Sequence, residues 1–257
     1  MKITVLIENT THNELVCEHG LSFYIEHEGK KYLLDSGSSD AFMANAEKLG
    51  IDLGDIDRAF LSHGHYDHSG GFKAFHDAYP DVRIMASEHI FRKHCSAKGG
   101  MHDIGVDEND SDVFTLISGQ HDMGKVHFIP HEKPLTHQAE AQGMYQDGVY
   151  DDLMHEYSLV FETDKGLVLF NSCSHGGVKQ IVTEVEEALP QKVYAYLGGL
   201  HLKGRELSDC EVSELTEQLQ KIPHVYTGHC TGEEAMRLLQ GKTDNIHELY
   251  SGQVIEL

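Results

Sequence analysis

Leu61-Ser62-His63-Gly64-His65-Tyr66-Asp67-His68-Ser69-Gly70-Gly71 puts three imidazoles and a carboxylate within six consecutive residues. Neutral imidazole nitrogen is the commonest protein ligand for zinc and similar cations, and a carboxylate adds a harder oxygen donor. The preceding Arg58–Ser62 reads as a short buried strand, and Gly70 to Tyr79 reads as a helix. The cluster therefore falls on a strand-to-helix turn, a place where a rigid scaffold presents functional side chains.

Strand signals surround this turn. Ile3–Glu8 opens the chain, and Ser22–Glu26 with Lys31–Leu34 predict a hairpin around Glu28-Gly29-Lys30. Asp35-Ser36-Gly37 ends that hairpin, and Ser38 or Ser39 is placed to cap a helix running to Leu49 and closed by Gly50. Val82–Ala86 predicts a strand and His89–Cys95 a short helix. Residues 97–120, apart from Val113–Ile117, and residues 131–155 predict irregular loops, with strand-like Lys125–Ile129 between them. Loops of that length in a compact domain often form lids or binding walls.

The second half repeats the logic of the first. Ser158–Thr163 and Leu167–Asn171 predict a hairpin, and Ser172-Cys173-Ser174-His175-Gly176-Gly177 leads into a helix over Val178–Leu189. Strand Val193–Leu197 ends at Gly198-Gly199-Leu200-His201. A helix over Ser208–Lys221 precedes strand His224–Thr227, then Gly228-His229-Cys230-Thr231-Gly232 and a helix over Glu233–Leu239; a last strand spans Glu248–Ile255. Two similar halves pairing their sheets, with helices outside, satisfy this order.

With 257 residues the chain is expected to form one domain, 1–257. Apolar residues make up 40% and charged residues 24%, ordinary globular proportions. The net charge of −22 argues against nucleic acid as a partner, because such a chain repels polyanions. A small anionic substrate is still compatible, since a bound cation reverses the local field. No stretch approaches the roughly 20 apolar residues that cross a bilayer. The five cysteines show no CxxC spacing and an odd count, which suits reduced thiols and a cytoplasmic location.

In four places a strand runs straight into a His-bearing turn: at His63/His65/His68, at His175, at His201 and at His229. Alone, each later histidine would read as an ordinary turn residue. Their recurrence after strands, together with the first cluster, points to convergence on one cation pocket.

The His63-Gly-His65-Tyr-Asp67-His68 run, preceded by Leu34-Asp35-Ser36-Gly37 and followed by Ser174-His175, resembles the signature of the metallo-β-lactamase superfamily over essentially the whole chain. The segments Phe42–Leu53, Cys173–Gly177, Gly198–Leu202 and His229–Gly232 resemble one branch, the relatives of the methanopterin-pathway ribofuranosylaminobenzene 5′-phosphate synthase. The resemblance implies an α/β fold, a four-layer αββα sandwich with a mono- or dinuclear metal site at one edge. It implies that His63, His65 and His175 hold a first metal and that Asp67, His68 and His229 hold a second. His201 falls where most relatives place a bridging Asp or Cys, so it would bind one metal only, or the site would be mononuclear. Asp35 would brace the metal turn. Cys173 and Cys230 are read as neighbours rather than donors.

The cofactor expectation is two divalent ions, zinc first, with manganese, iron and a mononuclear site left open. Zinc lowers the pKa of its bound water toward neutrality, so the expected activity is a metal-dependent hydrolase using a metal-activated hydroxide. Its target would be an ester, lactone or phosphoester of a small substrate. Asp67 is the candidate to orient the water and shuttle a proton. Lys203, beside Arg205, is the candidate contact for a substrate anion; the competing reading is a pair of solvated charges. Alternatives are a pterin-linked phosphoribosyl-type condensation, which would make the chain a transferase, and mono-iron oxidation of a thiol substrate. Asp151-Asp152 and Glu156, just upstream of the third strand pair, are candidates to line the cleft, with a solvated acidic loop the favoured reading.

Overall fold

The computed structural model describes residues 1–131 and 136–257. Alternation along the strands decides the layers. In β1 (Lys2–Ile7), β2 (Ser22–His27) and β3 (Lys30–Leu34), the side chains of Ile3, Val5, Phe23, Ile25, Tyr32 and Leu34 point one way into a common core, while Tyr24 and Leu33 point the other way. With β4 (Arg58–Phe60), β5 (Ile84–Ser87), β8 (Phe114–Ile117) and β18 (Val254–Glu256) they form a seven-stranded sheet in the order β18-β1-β2-β3-β4-β5-β8. The second sheet is its counterpart. Strands β9 (His121–Asp122), β10 (Val126–Pro130), β13 (Tyr157–Thr163), β14 (Gly166–Phe170), β15 (Val193–Leu197), β16 (His224–Thr227) and β17 (Ile246–Glu248) run β17-β16-β15-β14-β13-β10-β9. Its inward residues include Phe128, Leu159, Phe161, Val168, Phe170, Ala195 and Leu197.

Three separate apolar clusters follow from this alternation. One lies between the sheets. One joins Leu33, Ala59 and Ile84 to Phe42, Phe72 and Phe75 of helices α1 (Ala41–Lys48) and α3 (Phe72–Ala78). The third joins Val160, Leu169, Tyr196 and Val225 to helices α5 (Val178–Ala188), α6 (Asp209–Leu219) and α7 (Glu233–Gln240) through Ile181, Leu219 and Leu239. The result is the expected αββα order.

In each half an antiparallel hairpin leads into parallel strands: β2/β3 then β4 and β5, and β13/β14 then β15 and β16. Parallel pairing sends the strand ends to the same edge, the position at which open α/β sheets place their ligands.

Several local expectations need correction. No helix forms over 89–95; His94–Ser96 is strand β6. It pairs with β7 (His102–Asp103) and β11 (Met144–Gln146), and β11 with β12 (Val149–Tyr150), so the two regions expected to be irregular build a small third sheet together. Helix α4 (Thr136–Gln142) leads into β11; of the 131–155 stretch, 132–135 lie outside the described residues. The helix expected over Gly70 to Tyr79 is present as α3, and the histidine turn itself adds a short helix, α2 (Tyr66–Ser69). The C-terminal strand is two strands in different sheets, β17 and β18. Asp151 and Glu156 are each 1% exposed and so are not a solvated loop.

Candidate metal centre

Five strand ends feed one site. Asp35 follows β3, His63 follows β4, Cys173 and His175 follow β14, His201 follows β15, and His229 follows β16. The turns are tight. A Cβ on Gly70 or Gly71 would lie 2.2–2.3 Å from the Ser38 or Ser39 carbonyl, and one on Gly198 would lie 1.9 Å from the Asn171 carbonyl. Asp35, Ser174, His201 and His229 hold left-handed backbone, φ 47–59°, without being glycine. Such strain costs about 1–3 kcal/mol per residue and gathers at functional sites.

Hydrogen bonding fixes the tautomers of two histidines. The Ser62 hydroxyl donates to Asp35 Oδ2 at 2.7 Å, so its oxygen accepts from His63 Nδ1 at 2.8 Å. Gln142 donates its Nε2 to the His175 carbonyl at 2.9 Å, leaving Oε1 to accept from His175 Nδ1 at 3.0 Å. Burial, then the surrounding imidazoles, hold both rings well below the ordinary imidazole pKa, so both are neutral. Their bare Nε2 atoms face each other at 3.3 Å with no proton between them. Two ligands on one tetrahedral ion at zinc–nitrogen distance are about 3.3–3.4 Å apart. The arrangement fits a cation. His65 completes this group: one ring nitrogen of each of His63, His65 and His175 lies within 4.8 Å of the others.

The second expected group converges on Asp67. Asn9 grips His229, donating to its carbonyl at 3.2 Å and presenting Oδ1 to Nδ1 at 2.9 Å. His229 Nε2 then sits 3.3 Å from Asp67 Oδ2, buried and without a hydrogen bond. His68 Nε2 is 3.8 Å from the same oxygen, and its Nδ1 meets Asp35 Oδ2 at 2.8 Å. Burial opposes a charge on His68, but the Asp67 and Asp35 carboxylates outweigh it and push its pKa up to about 9. Burial likewise raises Asp67, and His68 and His229 more than reverse it, leaving the carboxyl well below the usual range. Asp35 also accepts from the Ser62 N–H at 2.7 Å.

Sequence reading missed several participants. His19, half-exposed ahead of β2, stacks on the His229 ring at 4.9 Å and places Nε2 3.3 Å from Asp67 Oδ2. Two buried glutamates hold the later histidine turns by their backbone. Glu156 accepts from His175 N–H at 2.9 Å and Gly176 N–H at 3.0 Å, and Glu8 accepts from His229 N–H. Burial raises the pKa of both glutamates. Only the weak signal of a charged residue just outside a strand marked them.

The expected second set is not one group: Asp67 and His229 cluster with His19, His68 clusters with His63 and Cys173, and His201 falls in neither. It packs on the outer side of His175, ring centroids 4.3 Å apart, and clusters with Cys173 and Cys230. Lys203 is exposed and lines a cavity of about 790 Å³ with Asn9 and His229; it has no carboxylate partner among the described residues. Arg205 is held by Glu211 at 3.1 Å. A further cavity of about 980 Å³, lined in part by Gln142, Ser174 and His201, lies on the other side of this segment.

A second histidine cluster adjoins the first. His94 and His155 stack at 4.0 Å, and Asp151 Oδ2 lies 2.8 Å from His94 Nδ1 and 3.5 Å from His155 Nε2. The Gly64 N–H donates to His155 Nδ1 at 2.9 Å.

Residues 15–148, more than half of the chain, match the metallo-β-lactamase superfamily model, and the chain belongs to that superfamily. Among its relatives is the 7,8-dihydropterin-6-methyl-4-(β-D-ribofuranosyl)-aminobenzene-5′-phosphate synthase of Methanocaldococcus jannaschii, 27% identical, with 93% of this chain and 90% of that one aligned. The solved structure of Tm1679, described as a metal-dependent hydrolase of the β-lactamase superfamily, superposes with a TM-score of 0.82 at 27% identity, covering 100% of this chain and 99% of that one. Zinc-bound PqqB of Methylobacterium extorquens, 11% identical, shares the fold with a TM-score of 0.59 over the full length of both chains. Divalent metal binding follows from the family. No helix among the described residues is long and apolar enough to cross a membrane.

Proposed function

We propose that this chain is a metal-dependent hydrolase of a small ester, lactone or phosphoester. The observation that carries it is the pair of bare, buried Nε2 atoms of His63 and His175 at 3.3 Å. In this reading His63, His65 and His175 hold one divalent ion, and Asp67, His68 and His229 hold a second, with zinc the first choice. A divalent ion held there supplies Lewis acidity and lowers the pKa of a coordinated water. Asp67, 3.3 Å from His229 and from His19, would orient that water. Lys203, on the rim, would meet an anionic group of the substrate. The net charge of −22 speaks against nucleic acid as a partner, and five free thiols suit a reducing cytoplasm.

The relationship to a synthase supports a second reading, a condensation that joins a pterin to a phosphoribose compound. One experiment separates the two. Protein purified without added metal is assayed for metal content, then against phosphodiesters, lactones, thioesters and a pterin with a phosphoribosyl donor. Two zinc or manganese ions with ester hydrolysis support the hydrolase. Pyrophosphate release without ester cleavage replaces it with the transferase, and a single iron with oxygen uptake replaces it with an oxidising enzyme.

A further inference from the structure

Cys173 is 3% exposed and lies two residues before His175, at the carboxyl end of β14. Its Sγ is 3.2 Å from His68 Nε2. That sulfur, one ring nitrogen of His63 and one of His68 all lie within 4.8 Å of one another. His63 belongs to one proposed metal group and His68 to the other, and their rings are 4.2 Å apart. The sulfur thus sits at the junction of the two groups, with a ring nitrogen of His201 and the Cys230 sulfur also within 4.8 Å of it. Cys230 lies behind it, its Sγ turned to the Cys173 carbonyl at 3.6 Å.

We infer that Cys173 is a thiolate donor to the divalent ion held beside His68, reaching the seam between the two histidine groups. The inference rests on the reading that a divalent ion occupies these histidines. On binding, the Cys173 S–H bond breaks, a metal–sulfur bond forms and the proton leaves to solvent; nothing is oxidised or reduced. A soft donor at this position selects for zinc or cobalt and against magnesium or calcium.

X-ray absorption of the zinc-loaded full chain tests this without any variant. A sulfur neighbour at about 2.3 Å is expected beside the nitrogen and oxygen shell. Cys173→Ser should lose that sulfur and weaken zinc binding about tenfold or more, while Cys230→Ser should keep it. Thermal unfolding of both variants checks that each folds, and the wild-type spectrum stands if one does not. Zinc bound with nitrogen and oxygen neighbours alone overturns the inference and leaves Cys173 as a neighbour of the His68 ring, with the histidine reading intact. Sulfur retained in Cys173→Ser and lost in Cys230→Ser assigns the donor to the wrong cysteine and also overturns it. A chain that takes up no zinc brings down both.

Discussion

Two buried histidine clusters touch through His65, and their ring nitrogens are partnered differently. In the strand-end cluster, Ser62, Gln142 and Asn9 take up the Nδ1 side of His63, His175 and His229, so lone pairs turn inward. In the third-sheet cluster, Asp151 takes an imidazole N–H from His94, and the Gly64 amide occupies Nδ1 of His155, turning its Nε2 proton toward Asp151. One cluster has acceptors facing acceptors and needs a cation. The other has a buried carboxylate that takes the His94 N–H, yet His94 Nε2 and His155 Nε2 stay buried without a hydrogen bond, so its donors are only partly satisfied and, with His65, are spaced to hold a cation as well. Residue type does not distinguish a ligand from a structural histidine; the partner of its other nitrogen does.

The comparison can be broken most sharply at its first member. His63→Ala or His175→Ala should lose at least one metal equivalent and lower turnover on the order of a thousandfold, since a Lewis acid is worth several kcal/mol of transition-state stabilisation. Full metal retention by elemental analysis would remove the distinction between the clusters. The second member is tested by Asp151→Asn. Metal content should stay at the wild-type value, while denaturant unfolding shows a loss of about 1–3 kcal/mol as hydrogen bonds to a charged acceptor become bonds to a neutral one. A lost metal equivalent there would make the third-sheet cluster a metal site too.

Asp35→Asn probes the contact between strand-end residues and a brace. It should weaken metal binding by about 10–100-fold in a chelator competition, with the fold retained. Acid and base sensitivity sharpen the contrast in the metal-free chain. The lowered pKa values of His63, His65 and His175 mean that stability falls as pH drops below about 6.5, where the unfolded chain takes up protons that these rings refuse. The raised pKa of His68, about 9, contributes stability that is full below 6.5 and is lost as pH climbs through 9. Urea unfolding of metal-free protein from pH 5 to 10 should therefore peak near neutrality, and Asp35→Asn should flatten the alkaline side. The smallest effect belongs to Lys203→Glu, which should raise KM for anionic substrates about two- to fivefold at unchanged kcat; an unchanged KM sets Lys203 aside as a solvated charge.

Much of this was legible in the linear order because period-two alternation and turn residues are local. Phe23, Tyr24 and Ile25 announce which face is core, and the run from His63 to His68 announces the site. What escaped notice depends on distant segments. Glu156 looks like the end of an acidic loop until the His175 turn folds over it. Cys173 reads as a mere neighbour of His175 until His68, 105 positions earlier, meets its sulfur. His19 carries no motif, and its role exists only once β2 brings it against Asp67. The third sheet was missed because its strands are two or three residues long and pair across some 50 positions, too short for periodicity to register.

The left-handed residues at the strand ends also say how this chain would respond to laboratory evolution. Asp35, Ser174, His201 and His229 sit where glycine would be more comfortable. A selection for heat resistance alone would find its easiest gains there, and each gain would strip out a group that the reactive centre uses or rests upon.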